Sequence, residues 1–209
     1  GVERGAVTFF SWAALGYSFK FIWAPLIDRL PLPVLTRALG RRRAWLLVAQ
    51  ISIVTAILLM SAVDPAQGAE SLTRMALAAV MLGFSAATQD IVIDAYRIES
   101  AETRMQALMS STYIAGYRIG MVVSGAGALF LAAYFGSTSG TYAYEAWHWT
   151  YAIMAGTMLV GIATTLLIPE PETRRADAYS YGAIDYARLL IVFAFSAAGD
   201  PPPNIVYLL

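Results

Sequence analysis

Charged residues are scarce in this chain, and cysteine is absent. Only 13% of the 209 side chains are charged, whereas a soluble domain carries roughly 25%. The lack of cysteine excludes disulfide bonds, thiolate catalysis and thiolate metal sites. The single histidine, His148, lies in an aromatic cluster typical of an interfacial residue, so neither a metal site nor a cofactor is predicted. The 14 basic and 14 acidic residues balance, so the net charge does not favour a nucleic acid as partner.

The chain does contain long apolar runs. Hydrophobic residues make up 58% of it, and its mean hydropathy is +0.60. A helix needs roughly 20 mostly apolar residues to cross a bilayer. The windows that meet this need are 6–27, 44–62, 74–95, 106–134 and 149–168. A shorter run at 187–199 is followed by prolines, so it is either a truncated spanning helix or an interfacial segment. The sequence therefore predicts an all-α integral membrane protein.

Arginine is distributed unevenly among the loops between these windows. The loops after the first, third and fifth windows hold arginines, whereas those after the second and fourth hold neither lysine nor arginine. Because basic residues stay in short cytoplasmic loops, we expect the arginine-rich loops in the cytoplasm and residue 1 outside. An odd number of spans that starts outside implies one further helix before Gly1.

Ionisable side chains are rare inside the windows, because burying an ionised group there is costly. Asp90 and Asp94 are four residues apart and so share a helix face, with Gln89 beside it. The helical rise is about 1.5 Å per residue, and side chains tilt toward the helix N-terminus. Lys20, Asp90 and Arg118 should therefore converge on one layer. We predict a polar path through the membrane, in which a carboxylate, first of all Asp90, holds Arg118.

The role of this charged layer is left open by the sequence. It can be a structural ion-pair network that fixes helix register, and Lys20 or Asp94 can escape to the interface. The two aspartates could bind a cation or form the dyad of an intramembrane enzyme, although no buried histidine, cysteine or metal-ligand cluster supports an enzyme. A membrane scaffold would not need the layer. Windows 44–62 and 149–168 carry no charged residue, so we expect them to face lipid.

The first arginine-rich loop carries a second charged pattern. Its positions of interest are Asp28, Arg29, Gly40, Arg41, Arg42 and Arg43. Cytoplasmic topology explains the arginines but not the aspartate. A carboxylate beside an arginine cluster can form a latch that breaks and re-forms, which suits a protein that alternates between two conformations.

The same loop resembles the signature loop of the major facilitator superfamily, in which an Asp-Arg pair precedes Gly-Arg-Arg. Here a proline-containing insertion separates the two pieces. FKFIWAPLIDR, GRRRAWLL and ATQDIVIDAYR each resemble the AmpG family of muropeptide permeases, and the resemblance covers most of residues 6–170. The acetyl-CoA transporter branch, which has a related motif, is the nearest alternative.

This resemblance implies a multi-pass permease of the bacterial inner membrane rather than an enzyme. It would import anhydromuropeptides for peptidoglycan recycling, driven by protons, by alternating access. Asp90 would couple protons, Arg118 would pair substrate anions, and Gln89 would bind sugar or peptide amides. The implied partners are the lipid bilayer, the substrate and protons.

On the same grounds, the chain is expected to be the N-terminal half of a major facilitator bundle without its first helix. Residues 1–170 would form transmembrane helices two to six. Residues 171–186 would be the cytoplasmic segment between halves, and 187–209 the truncated start of helix seven or an interfacial segment. The first helix and the C-terminal half would complete the protein.

Overall fold

The computed structural model describes residues 19–137 and 140–171, and these residues fold into helices. The α-helices are α1 Lys20–Arg29, α2 Leu35–Leu39, α3 Arg41–Ser61, α4 Ala69–Ser100, α5 Gln106–Tyr134 and α6 Tyr144–Leu167. Single 3-10 turns at Pro65–Gln67 and Thr103–Met105 lie in the loops. The described part of the chain contains no strand, as the predicted all-α class requires.

Helices α3 to α6 are long and apolar enough to cross a membrane. Window 106–134 coincides with α5, whereas α4 extends beyond window 74–95 at both ends. Hydropathy marks only the apolar middle of a helix, and α4 continues through polar ends. There Glu70 forms an i,i+4 ion pair with Arg74 at 2.5 Å. The prediction of membrane-spanning helices is confirmed for these four windows.

The first window is described only at its end, where α1 covers Lys20–Arg29. Residues 6–18 of that window, residues 172–186 and the final segment 187–209 lie outside the described residues. What was predicted for those segments stays a prediction.

Helix α3 packs against both α4 and α6. Buried Ile27, Leu46 and Val92 form a cluster that joins α1, α3 and α4. The apolar window of α3 is 44% buried, whereas that of α5 is 0% buried. The prediction that window 44–62 faces lipid is therefore wrong. Its small residues, rather than any charge, let neighbouring helices approach closely; the buried ones are Ala44, Ala49 and Ala56.

A buried polar contact joins α3 to α6. Thr165 donates its hydroxyl to Gln50 Oε1 at 3.0 Å, and the same hydroxyl lies 3.0 Å from the carbonyl of Gly161. Gly161 leaves room for the glutamine, because a methyl group at that position would lie 3.3 Å from Gln50 Nε2. The close approach of these two helices therefore depends on a glycine.

At the end of α3 far from the arginines, His148 binds the last turn of that helix. Its Nδ1 lies 2.9 Å from the carbonyl oxygen of Ser61, so Nδ1 carries the hydrogen and donates it. Tyr144 donates to the same carbonyl at 3.1 Å. These bonds satisfy an acceptor that a helix end leaves open. Nearby, burial and the hydrogen bond to Asp64 raise the pKa of Tyr142 to about 12, so this phenol stays a donor at neutral pH.

Gly161→Val should lower stability, because the added side chain forces α3 and α6 apart. Overpacking of this kind costs about 1–3 kcal/mol of unfolding free energy. Gly156→Val on the same helix is the matched control, since a methyl group at Gly156 meets no atom within 4 Å. The thermal midpoint of the full-length protein in detergent measures both effects. Equal midpoints for the two variants would contradict the prediction.

Candidate functional site

Asp90 lies on α4 and has a partner for each carboxylate oxygen. Lys20 Nζ lies 2.6 Å from Oδ2, and Tyr113 donates its hydroxyl to Oδ1 at 2.5 Å. The Asp90 side chain is 21% exposed, so the site is partly shielded from water. The prediction that Lys20 and Asp90 converge from different helices is confirmed. Lys20, Asp90 and Tyr113 are called the Asp90 cluster below.

The predicted pairing of Arg118 with Asp90 is wrong. Arg118 is exposed on α5, and within the described residues its guanidinium forms no ion pair, while Lys20 is the cation of Asp90. Depth along a helix fixes the height of a side chain but not its direction around the axis. Tyr113, which does face Asp90, is five residues before Arg118, and at 3.6 residues per turn this separates the two by about 140°.

Asp94 has a cation of its own. Arg97 Nη2 lies 3.3 Å from Asp94 Oδ1, and Arg97 Nη1 donates to the hydroxyl of Ser110 on α5. The guanidinium carbon lies 5.6 Å from the centroid of the Tyr113 ring, within cation–π range. Because each aspartate has a separate cation, the two carboxylates do not act as one pair.

A cavity of about 420 Å³ opens beside Asp90 between α4 and α5. It is lined by Ala86, Gln89, Asp90, Ile93, Tyr113, Gly116 and Tyr117. Among the described residues, the buried Gln89 Oε1 atom has no hydrogen-bond partner. A buried acceptor without a partner costs about 1–3 kcal/mol, so a donor from a ligand or a water molecule would be stabilised there.

Arg42 connects three helices at the arginine-rich end of the bundle. Its Nη1 lies 2.6 Å from Asp28 Oδ1 at the end of α1. Its Nη2 and Nε donate to the two oxygens of Glu99 on α4, at 2.5 Å and 2.9 Å. The Arg42 side chain is 6% exposed, and such a two-pronged contact is directional as well as strong. The predicted contact between Asp28 and the arginine cluster is confirmed, with Arg42 as the partner.

The neighbouring arginines bind backbone carbonyls. Arg41 Nη1 donates to the carbonyl of Asp28 at 2.7 Å. Arg43 donates to the carbonyls of Thr165 and Leu166, in the last turn of α6, at 2.9 Å and 2.6 Å. A cation at a helix C-terminus is favoured by the helix dipole. Arg29, the last residue of α1, is exposed.

Glu170, which follows α6, caps the first turn of α3. Its carboxylate accepts the backbone N–H groups of Arg42 and Arg43 at 2.8 Å and 3.1 Å. Gly40 has φ +89° and stands directly against this carboxylate, because a methyl group there would overlap Glu170 Cδ. Any other residue at position 40 would be strained and would displace the cap. Arg42, Asp28, Glu99 and Glu170 are called the Arg42 cluster.

Sequence reasoning did not single out Tyr113, Glu99 or Glu170. A signal for the two glutamates was present, since both follow an apolar window directly at the end where the arginines collect. A buried arginine needs carboxylates near it. Tyr113 gave no such signal, because an aromatic residue in an apolar window reads as lipid-facing or core.

Comparison with known proteins shows the family of this chain. The family model described as Major Facilitator Superfamily matches residues 4–200. The chain belongs to the major facilitator superfamily. The resemblance seen in the loop with Asp28 and Arg42 is thereby confirmed, and the described helices form part of an all-α membrane bundle of this superfamily. No solved structure matches the chain.

Among its curated relatives, the chain is similar to proteins with AmpG and permease names. It is 36% identical over 172 residues to the Putative transporter AmpG 4 of Rickettsia felis, covering 82% of this chain and 38% of that protein. It is 36% identical over 170 residues to the Anhydromuropeptide permease of Escherichia coli strain K12, covering 81% of this chain and 31% of that protein. The chain therefore spans less than two fifths of the length of these superfamily relatives.

Glu99→Gln should destabilise the arginine-rich end, because the Arg42 guanidinium loses the negative charge of the carboxylate that it binds with two hydrogen bonds. A fully buried pair would lose about 3–5 kcal/mol, and since Glu99 is 24% exposed we expect roughly 1–3 kcal/mol. Glu102→Gln is the matched control: that carboxylate is 57% exposed and pairs with an exposed Arg104, which predicts a change of at most about 0.5 kcal/mol. Thermal midpoints in detergent measure both, and a larger loss for Glu102→Gln would refute the assignment.

Proposed function

We propose that the protein containing this chain is a secondary transporter that imports anhydromuropeptides across the bacterial inner membrane, coupled to protons. The observation that carries the proposal is the Asp90 cluster. It places an ion pair and a cavity with an unpartnered Gln89 oxygen inside apolar helices. Similarity to an anhydromuropeptide permease supports the choice of substrate. The arginine-rich end would face the cytoplasm.

Asp90 is the proposed proton site. An ionised carboxylate within a membrane helix is stabilised only by partners, and Lys20 supplies the opposite charge at 2.6 Å. A proton on Asp90 removes the charge that holds Lys20, which weakens the contact of α1 with α4. Such a change can shift the balance between two access states, because it alters the stability of one of them.

The cavity beside Asp90 is the proposed start of the substrate path. Its volume of about 420 Å³ falls in the range of small-molecule sites. Gln89 Oε1 can accept a hydrogen bond from a sugar hydroxyl or a peptide amide, both of which an anhydromuropeptide carries. Arg118 is proposed to meet substrate carboxylates from the exposed side of α5.

The two rival functions have less support. For an acetyl-CoA transporter the support is one related motif, whereas similarity to an anhydromuropeptide permease extends over 81% of the chain. An intramembrane aspartyl enzyme needs two cooperating carboxylates, and here Lys20 pairs with Asp90 while Arg97 pairs with Asp94.

Asp90→Asn should abolish proton-driven accumulation of anhydromuropeptides by the full-length protein in liposomes. The amide cannot take up a proton, although it fills the same space. Asp94→Asn is the matched control on the same helix, and it should retain gradient dependence because its partner Arg97 lies outside the Asp90 cluster. Unchanged proton-driven uptake by Asp90→Asn would end the assignment.

Asp28→Asn should shift the balance between access states. Asp28 is the most exposed carboxylate that contacts Arg42, at 47%, so its loss weakens the tie of α1 without removing the grip of Arg42 on Glu99. Because this chain has no cysteine, cysteines engineered on the two sides of the cavity can report access by their labelling rates. Glu102→Gln again serves as control, and identical labelling of Asp28→Asn and the parent protein would count against a latch.

A further inference from the structure

Tyr113 links α5 to both charged pairs of α4. Its hydroxyl donates to Asp90 Oδ1 at 2.5 Å, a length typical of a hydroxyl that binds an ionised oxygen. Its ring lies under the guanidinium of Arg97, 5.6 Å from centroid to carbon. A single side chain therefore contacts the acid of one pair and the base of the other.

In the described part of the chain, helix α5 packs more closely on α6 than on α4. Within the described residues, Ala132 is its only buried residue. Apart from Gln106 at its first position, its side-chain hydrogen bonds to α4 come from Tyr113 and from Ser110, one turn earlier. Because α5 has few contacts with α4 among the described residues, the hydrogen bond to Asp90 has a large share in holding α5 against α4.

We infer that Tyr113 is a positioning residue that ties α5 to the charge of Asp90. While Asp90 is ionised, the phenol binds its oxygen and holds α5 against α4. When Asp90 takes a proton, the acceptor loses its charge and the bond loses about half of its strength, so α5 can move away and widen the cavity. The inference rests on the proposed role of Asp90 as proton site.

The charged and titratable groups around Asp90 are consistent with this role. Lys20 faces it from α1, Asp94 and Arg97 occupy the next turn of α4 and neutralise each other, and Tyr117 lines the same cavity from α5. Among the described residues, Lys20 and Tyr113 are the groups with a hydrogen bond to the carboxylate. The phenol is neutral, so it can respond to the charge without changing its own.

Tyr113→Phe tests the inference in the full-length protein, because it keeps the ring on Arg97 and removes the hydroxyl. Proton-driven uptake should fall about tenfold, the effect of one hydrogen bond to a charged group. The pH profile of uptake should also move, since the carboxylate of Asp90 loses a hydrogen-bond donor. Tyr134→Phe, on the same helix but exposed and outside the cavity, should leave the profile in place. An unmoved profile in Tyr113→Phe would overturn the inference.

A second measurement does not depend on the substrate. Spin labels at Ile98→Cys on α4 and Leu108→Cys on α5, both about 60% exposed, report the distance between the helices when these are the only cysteines. The distance should change between alkaline and acid pH in the parent, and Tyr113→Phe should show the acid distance at both. Asp90→Asn should also give the acid distance at both pH values. The double variant Asp90→Asn/Tyr113→Phe should give the same distances as Asp90→Asn alone.

These outcomes separate the inference from the proposed function. If the parent accumulates no anhydromuropeptide but its helix distance responds to pH through Tyr113, the substrate proposal fails and the inference stands. If Tyr113→Phe and the parent give the same distances at each pH, the inference fails whatever the protein transports.

Discussion

A charge inside an apolar helix is costly without a partner, and this cost explains the polar contacts of the described part of the molecule. Asp90 lies in a mostly apolar span, and its two oxygens bind Lys20 from α1 and Tyr113 from α5. Removing water from both members of an ion pair is costly unless hydrogen bonds complete the arrangement. The need to satisfy one carboxylate therefore brings side chains of three helices to the same point.

The arginine-rich end meets the same requirement with a different residue. Arg42 is nearly buried and holds Asp28 and Glu99 at once, while Glu170 takes the backbone N–H groups of the same turn. Four helices, α1, α3, α4 and α6, are joined there. Gly40 makes this possible, because its positive φ and missing side chain admit the Glu170 carboxylate. Helix α5 has no part in the Arg42 cluster, which leaves the Asp90 cluster as its principal polar tie to α4.

The sequence predicted the helices and the depth of their charged side chains better than the direction in which those side chains point around the helix axis. The length of the apolar runs predicted the four spanning helices, because a helix needs a long apolar run to cross a bilayer. Helical rise gave the common height of Lys20 and Asp90. It could not give the azimuth of Arg118, since the angle at which α5 presents itself depends on neighbours that a single sequence does not show. The absence of charged residues from α3 led to the wrong prediction that this helix faces lipid. Close contact between helices comes from small residues such as Ala49, and a sequence does not show whether a small residue faces lipid or protein.

The two clusters differ in the exposure and geometry of their ion pairs. Lys20 holds Asp90 by one ammonium hydrogen bond, and its side chain is 37% exposed. Arg42 holds Glu99 by two hydrogen bonds in a rigid planar fork, 6% exposed, and arginine stays charged at any physiological pH. The cation of the Asp90 cluster is thus more exposed and less rigidly held than the cation of the Arg42 cluster. At the arginine-rich end, the more exposed of the two acids on Arg42 is Asp28, which lies on α1. Since α1 also carries Lys20, both clusters hold the same helix.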